Sequence, residues 1–298
     1  MVDPAYPLSV VIATTVGWPR MRLSLDSVVP QVAAVGGQLI VADSSGGPVP
    51  GEVTAAVDTI WLERSGAGVF RLRREGYERA AGQIIAATED HCRPDDDWVE
   101  RILAAHAARP DAAAIGGAVE NGTPDHAIDW AIYFVTQLPW APPLPEVPER
   151  IVGHTNISYK RSALAGMPHE GLLTIEILYN RALREQGLTV IADDTIRVGH
   201  YQSMGIRRTS ELEFHNGRSI GGLRRESMRA RDWLRAAAPP LMAAYRMART
   251  ARQGVAKPFP RQTLLAALPY ICWLQVVHAV GESAGYLWGP GDSPARLH

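Results

Sequence analysis

Glu89 and His91 stand two residues apart in the run Thr88-Glu89-Asp90-His91, directly behind the apolar stretch 83–87. On an extended backbone, residues two apart project to the same side. The pair therefore offers one carboxylate oxygen and one imidazole nitrogen to a divalent cation. The alternative reading of the same tetrapeptide is an acidic turn ahead of a helix that begins between Pro94 and Trp98. Mainly apolar residues without polar alternation read as a strand buried on both faces. The acids and the imidazole then emerge at that strand's carboxyl end, which is where open α/β sheets bind ligands.

Two other runs have the same form. Leu8-Ser9-Val10-Val11-Ile12 leads into Ala13-Thr14-Thr15 and then a helix-like stretch over 19–35. Residues 38–42 end in Asp43-Ser44-Ser45-Gly46-Gly47. Three neighbouring strand ends are thus expected to carry hydrogen-bonding side chains. Between them, the glycine turn Ser65-Gly66-Ala67-Gly68 opens a helix bearing Arg71, Arg73 and Arg74, placed to face phosphate. Taken one at a time, each is also ordinary loop chemistry. Further along, 112–119 reads as a strand with Gly116-Gly117 where backbone approaches closely. The aromatic stretch 130–140 runs into a stiff proline-rich segment, either a lid or a surface connection. Residues 188–192 read as a strand ended by Asp193-Asp194, with 195–198 leading to Gly199-His200.

In order and spacing these motifs resemble the inverting family 2 glycosyltransferases with the GT-A fold, from Leu8 to about His200. Ala13-Thr14-Thr15 stands where that family ends its first strand in a Pro-Thr-Tyr-Asn type turn. Asp43-Ser44-Ser45-Gly46 matches its second strand end, Leu72-Arg73-Arg74-Glu75-Gly76 its Ala-Arg-Asn-x-Gly helix, and Glu89-Asp90-His91 with Pro94 and Trp98 its metal-binding Asp-x-Asp. Gly153-His154-Thr155-Asn156-Ile157-Ser158-Tyr159 resembles its Asn-x-Ser-Tyr strand. The chain departs in having Glu-x-His, whose imidazole also ligates manganese, and in Arg74, where the family has Asn. The resemblance implies an α/β fold with an open mixed sheet and helices on both faces, a nucleotide-binding half plus an acceptor half. It also implies a nucleoside-diphosphate sugar donor gripped by Thr14, Asp43, Arg73 and Asp90, and a divalent metal, Mn2+ or Mg2+, held by Glu89 and His91 with His200 near it. The catalytic base would be Glu176, followed by Arg181 and Gly187, although Ile175 and Ile177 replace the usual acidic neighbour; Glu170 is the other candidate. A nucleotidyltransferase and a non-catalytic sugar-nucleotide-binding or membrane scaffold protein are the other function classes.

Composition suits one enzyme domain with an extension. The chain has 298 residues, 46% hydrophobic and 20% charged, near ordinary globular values; with the resemblance this implies a GT-A domain over 1–204, followed by a basic and apolar helical extension over 205–298. Cys92 and Cys272 form no disulfide framework or metal motif and suit a reducing cytoplasm; Cys92 reads as a small residue at a helix start. The first seven residues lack the pattern of a signal peptide. The formal net charge of -1 conceals an asymmetry, because 205–257 carries twelve Lys or Arg against four acids and the remainder is acidic. With no zinc-finger spacing and an acidic catalytic half, nucleic acid is not the expected partner. An anionic membrane surface is, since the apolar run 264–280 follows; containing Pro269, Gln275 and His278, it reads as an interfacial or re-entrant helix, with a core helix as the alternative. Residues 281–286 resemble the tail of membrane-associated bacterial members of that family. The expected location is the inner face of the cell membrane, with a saccharide, lipid-linked or small-molecule acceptor.

Overall fold

The computed structural model describes residues 5–145, 155–165, 176–225 and 238–297. They form two compact units, residues 1–120 with 140–201 and residues 121–139 with 202–298.

The first unit is built on a mixed sheet of eight strands: β1 (Tyr6–Thr14), β2 (Gln38–Asp43), β3 (Asp58–Glu63), β4 (Gly82–Glu89), β5 (Cys92–Pro94), β6 (Ala112–Asn121), β7 (Asn156–Lys160) and β8 (Thr189–His200). Their order is β3-β2-β1-β4-β7-β6-β8-β5. The first four in that order are parallel, β7 is antiparallel to β4 and β6, and β5 is antiparallel to β8. The helices are α1 (Arg22–Ala34), α2 (Gly51–Ala56), α3 (Val69–Arg79), α4 (Trp98–Ala108), α6 (Arg161–Leu164) and α7 (Glu176–Glu185), with α5 (Ala127–Thr136) in the other unit.

The period of two along each strand sends alternate side chains into two cores. Leu8, Val10, Ile12, Leu39, Val41, Ile84 and Ala86 meet Met21, just ahead of α1, Leu25 and Val28 of α1, and Trp98 and Ile102 of α4. Their neighbours Val11, Ala13, Ile40, Ala42, Ile85 and Ala87 meet Leu72 and Tyr77 of α3 and Tyr179 and Leu183 of α7. With helices on both faces, β1, β2 and β4 are buried almost throughout, and this is why they read as unbroken apolar runs. The open mixed sheet expected from the sequence is the fold observed.

Asn156, at the start of β7, ties the antiparallel half together. Its amide oxygen accepts from Trp98 Nε1 at 2.9 Å, and its nitrogen donates to the carbonyls of Ala118 and Ile196, each at 2.9 Å. Gly117 makes room for this crossing, because a Cβ there would overlap the Ile196 carbonyl and the Asn156 amide.

Several local expectations are corrected. The chain behind His91 first makes the short strand β5, so Cys92, read as a residue at a helix start, stands in a strand, and the helix begins at Trp98, within the expected interval. Strand β8 runs unbroken through Asp193-Asp194, because both acids are half-exposed and paired: Asp193 accepts from Thr195, and Asp194 pairs with Arg197. The start of the proline-rich segment, read as an extended loop, forms a single 3-10 turn over 138–140.

The second unit comprises α5, α8 (Ile206–Arg225), α9 (Pro239–Val255) and α10 (Arg261–Trp288). Gly217 and Gly221 of α8 face Gly281 and Gly285 of α10 so closely that a Cβ at any of them would overlap the other helix's backbone. Polar groups lie inside: His278 Nδ1 meets Glu213 Oε2 at 2.8 Å, Arg224 pairs with Glu282, and Gln275 accepts from Arg246 at 2.6 Å and donates to Thr250 at 3.2 Å. Trp130, Tyr133 and Phe134 of α5 cluster with Phe259. The 17-residue apolar run is part of a 28-residue helix, long and apolar enough by length and composition to cross a membrane. Pro269, Gln275 and His278 do not shorten it, since the last two find partners inside the unit.

Candidate functional site

The ends of β1, β2 and β4 lie side by side, with Thr14 in register with Asp43 and Ala13 with Glu89. The carboxyl ends of three adjacent parallel strands therefore deliver Thr14, Asp43 and Glu89-Asp90-His91 to one edge of the sheet. Thr14 is fully buried; its hydroxyl accepts from the backbone N–H of Val16 and Gly17 and donates to Asp90 Oδ2 at 2.7 Å. Asp43 accepts from the Ser45 backbone N–H at 2.7 Å through Oδ1 and from Trp61 Nε1 at 3.3 Å through Oδ2. Both oxygens are thereby held in place while each keeps a second lone pair for a ligand donor.

Asp90 Oδ1 meets His91 Nδ1 at 2.7 Å. This bond puts the imidazole proton on Nδ1 and turns the lone pair of Nε2 inward, a common way for a carboxylate to prepare a histidine ligand. His91 Nε2 then lies 3.0 Å from His200 Nε2 and 3.6 Å from Glu89 Oε2, and His200 Nε2 is likewise 3.6 Å from Glu89 Oε2. His200 reaches this point from the far end of β8, whose ladder with β5 pairs it with Cys92. Burial disfavours the His91 cation, but the Asp90 hydrogen bond and the charges of Glu89 and Asp90 outweigh it and raise its pKa above the usual value.

Glu89 is buried and divided between partners. Oε1 accepts from Arg73 Nη2 at 2.6 Å, and Oε2 accepts from Thr155 Oγ1 at 3.2 Å while facing the two imidazoles. Arg73 comes from α3, whose start after Gly68 was expected to face phosphate; its guanidinium is buried on Glu89, while Arg71 pairs with Glu75 and Arg74 with Glu78. Cys92 is fully buried, and burial with the charge of Glu89 pushes its thiol well above the usual value. Donor atoms of Glu89, Cys92 and His200 all lie within 4.8 Å of one another.

One carboxylate oxygen and two imidazole nitrogens spaced 3.0–3.6 Å apart have the separation of adjacent ligands around an ion bound at about 2.0–2.2 Å. The residues present therefore fit a divalent cation. The sequence-expected residues Thr14, Asp43, Arg73, Glu89, Asp90, His91 and His200 all belong to this edge or to its supports. Glu176 is the first residue of α7, and its side chain and Glu170 lie outside the described residues. Trp61, Thr155 and Cys92 were not singled out as site residues. Only the position of Cys92 just behind the Glu-x-His motif could have marked it.

No protein-family model matches the chain. Over 73 residues it is 29% identical to the glucosyl-dolichyl phosphate glucuronosyltransferase of Haloferax volcanii, an alignment that spans 24% of this chain and 22% of that protein. Among solved structures, the mannosyltransferase PcManGT from Pyrobaculum calidifontis, in complex with GDP-Man and Mn2+, superposes with a TM-score of 0.57 at 18% identity, covering 96% of this chain and 89% of its own. GalNAc-T7 with UDP, GalNAc and Mn2+ gives a TM-score of 0.50 at 15% identity, covering 67% and 44%. Identities this low speak for architecture alone, and the architecture is that of GT-A glycosyltransferases.

Proposed function

We propose that this protein is a glycosyltransferase that moves a sugar from a nucleoside-diphosphate sugar to an acceptor hydroxyl with inversion and with the help of a divalent metal. The observation that carries this reading is the convergence of Glu89, His91 and His200 beside Thr14 and Asp43 at the strand ends of a GT-A fold. Two solved proteins of the same architecture are described with Mn2+ and sugar-nucleotide components, and the short sequence match is to a glucuronosyltransferase named for a dolichyl-phosphate-linked substrate.

Glu89, His91 and His200 would hold Mn2+ or Mg2+, which when bound neutralises charge building on the departing diphosphate. Asp43, steadied by Ser45 and Trp61, accepts from N–H or O–H groups of the base or ribose. Thr14 and Asp90 form the floor beneath them, and Asp90 keeps the His91 lone pair aimed inward. Arg73 fixes Oε1 of Glu89, so that Oε2 faces the imidazoles. Glu176, opening α7, takes the proton of the acceptor hydroxyl as its oxygen attacks the anomeric carbon, while the diphosphate leaves from the opposite face. The second unit brings the enzyme to the cytoplasmic face of an anionic membrane through its basic stretch and the apolar side of α10, which suits a lipid-linked acceptor in glycolipid or polysaccharide synthesis.

Incubation with a panel of sugar nucleotides and Mn2+ tests the reading. Release of nucleoside diphosphate, abolished by Glu89→Ala and dependent on metal, is expected. Release of a nucleoside monophosphate and a sugar phosphate would instead indicate a nucleotidyltransferase, and no turnover with any donor a binding or scaffold protein. Glu176→Gln should abolish transfer while donor affinity stays nearly unchanged; an active Glu176→Gln beside an inactive Glu170→Gln would move the base to Glu170.

A further inference from the structure

The cation cluster contains a donor that the transfer reading leaves unused. Cys92 and His200 are register partners in the β5–β8 ladder, and cross-strand partners present their side chains on the same face. This brings the Cys92 thiol within 4.8 Å of donor atoms of both Glu89 and His200. Around the shared Glu89 and His200 there are therefore two ways to complete a three-ligand set. His91 completes it from the accessible side, its side chain 34% exposed, whereas Cys92 is fully buried and completes it from the interior.

The two sets differ in chemistry. With His91 the donors are one oxygen and two nitrogens, which serve manganese as well as later first-row ions. With Cys92 they are oxygen, nitrogen and sulfur, and a thiolate selects zinc-like ions over magnesium or manganese.

We propose that Glu89, Cys92 and His200 form an inner site for a thiophilic divalent ion of the Zn2+ class, and that filling it excludes the ion held with His91, because Glu89 and His200 cannot serve both. Binding breaks the Cys92 S–H bond: the proton leaves to solvent, the sulfur electron pair goes to the metal, and nothing is oxidised or reduced. The inference rests on the assignment of Glu89 and His200 as cation ligands in the proposed function and adds a second, competing use of them. Zinc would then act as an antagonist of the manganese form.

The test uses the full chain and the metals alone. Because the protein has only two cysteines, Cys272→Ser leaves Cys92 as the sole thiol without touching the site. Titration of that variant with Co2+ should develop a thiolate-to-cobalt band in the near ultraviolet that saturates at one ion per chain and is displaced by Zn2+. The band should vanish in Cys92→Ser and persist in His91→Ala. In calorimetry, one equivalent of Zn2+ should lower the apparent Mn2+ affinity of the wild-type protein by about tenfold or more. Absence of the band in Cys272→Ser, its survival in Cys92→Ser, or Zn2+ and Mn2+ binding independently would each overturn the inner site. The transfer reading fails separately, if His91→Ala binds Mn2+ as tightly as the wild type does.

Discussion

Glu89 sets the character of the site because its two oxygens do different things. Oε1 is neutralised by Arg73, and Oε2 is turned toward the two imidazoles. Removing one partner of a buried ion pair typically costs about 3 kcal/mol, because the other charge is left in a poor solvent. Arg73→Met should therefore lower stability by about that amount in metal-free buffer. Saturating Mn2+ should return part of the loss, since a cation beside Oε2 replaces the missing positive charge. Urea unfolding with and without Mn2+ measures both, and an equal Mn2+ effect on variant and wild type would remove Arg73 from this role. Asp90 acts one bond further out. Asp90→Asn keeps the shape but weakens the hold on His91 Nδ1–H, and changes of this kind typically cost tenfold to a hundredfold in metal affinity. Mn2+ calorimetry should show a loss in that range, with the circular dichroism spectrum unchanged.

At the scale of elements, α4 is fastened to the sheet by polar contacts as well as by its apolar face. Trp98 at its start reaches Asn156 of β7, and His106 near its end meets Ser158 Oγ of the same strand at 2.9 Å. His106 is buried, and burial, with the nearby Lys160 charge, lowers its pKa from 6.5 to about 4. The folded protein thus keeps this ring neutral in a range where the unfolded chain protonates it, so stability rises with pH between about 4 and 6.5 and is at its full value above. Unfolding free energy should fall by roughly 2–3 kcal/mol from this group as pH drops across that window. His106→Gln should flatten that part of the pH profile measured by chemical denaturation; an unchanged slope would show that other groups carry it.

At the scale of the molecule, α10 buries polar groups beside apolar ones and exposes a row of large apolar side chains. Its buried residues include Gln275, His278 and Glu282, while Leu265, Leu268, Trp273, Val276 and Val280 are exposed. Close helix packing through small residues with polar groups turned inward is the arrangement that lipid favours. Leu265→Glu combined with Val276→Glu places two charges on exposed positions without touching the inner network or the bond from Trp273 to Ser210 of α8. The pair should greatly reduce sedimentation with anionic liposomes while leaving thermal stability within about 1 kcal/mol, the usual range for surface changes. Wild-type protein that fails to sediment at any salt concentration would separate this face from membranes altogether.

How much of this was legible beforehand depended on the range of the interaction involved. Local periodicity determined the buried strands β1, β2 and β4, because a strand covered on both faces must be apolar along its whole length. It also placed Thr14, Asp43 and Glu89-Asp90-His91 at their ends, since each motif sits within a few residues of the run that positions it. The sequence could not decide partners across long separations. His91 meets His200 109 residues away, and Arg73 meets Glu89 because α3 packs across β1 and β2, beside the end of β4, where a buried carboxylate is stabilised by a cation. Cys92 became a neighbour of His200 only through the register of β5 against β8, and a shift of one residue would have sent the thiol to the other face. The length of α10 was likewise settled by packing, since Gln275 and His278 look like interruptions until Arg246 and Glu213 are beside them. Composition along the chain determined which elements form and which chemistry they carry; three-dimensional contact decided which of those groups share one site, because only there do desolvation and charge bear on them together.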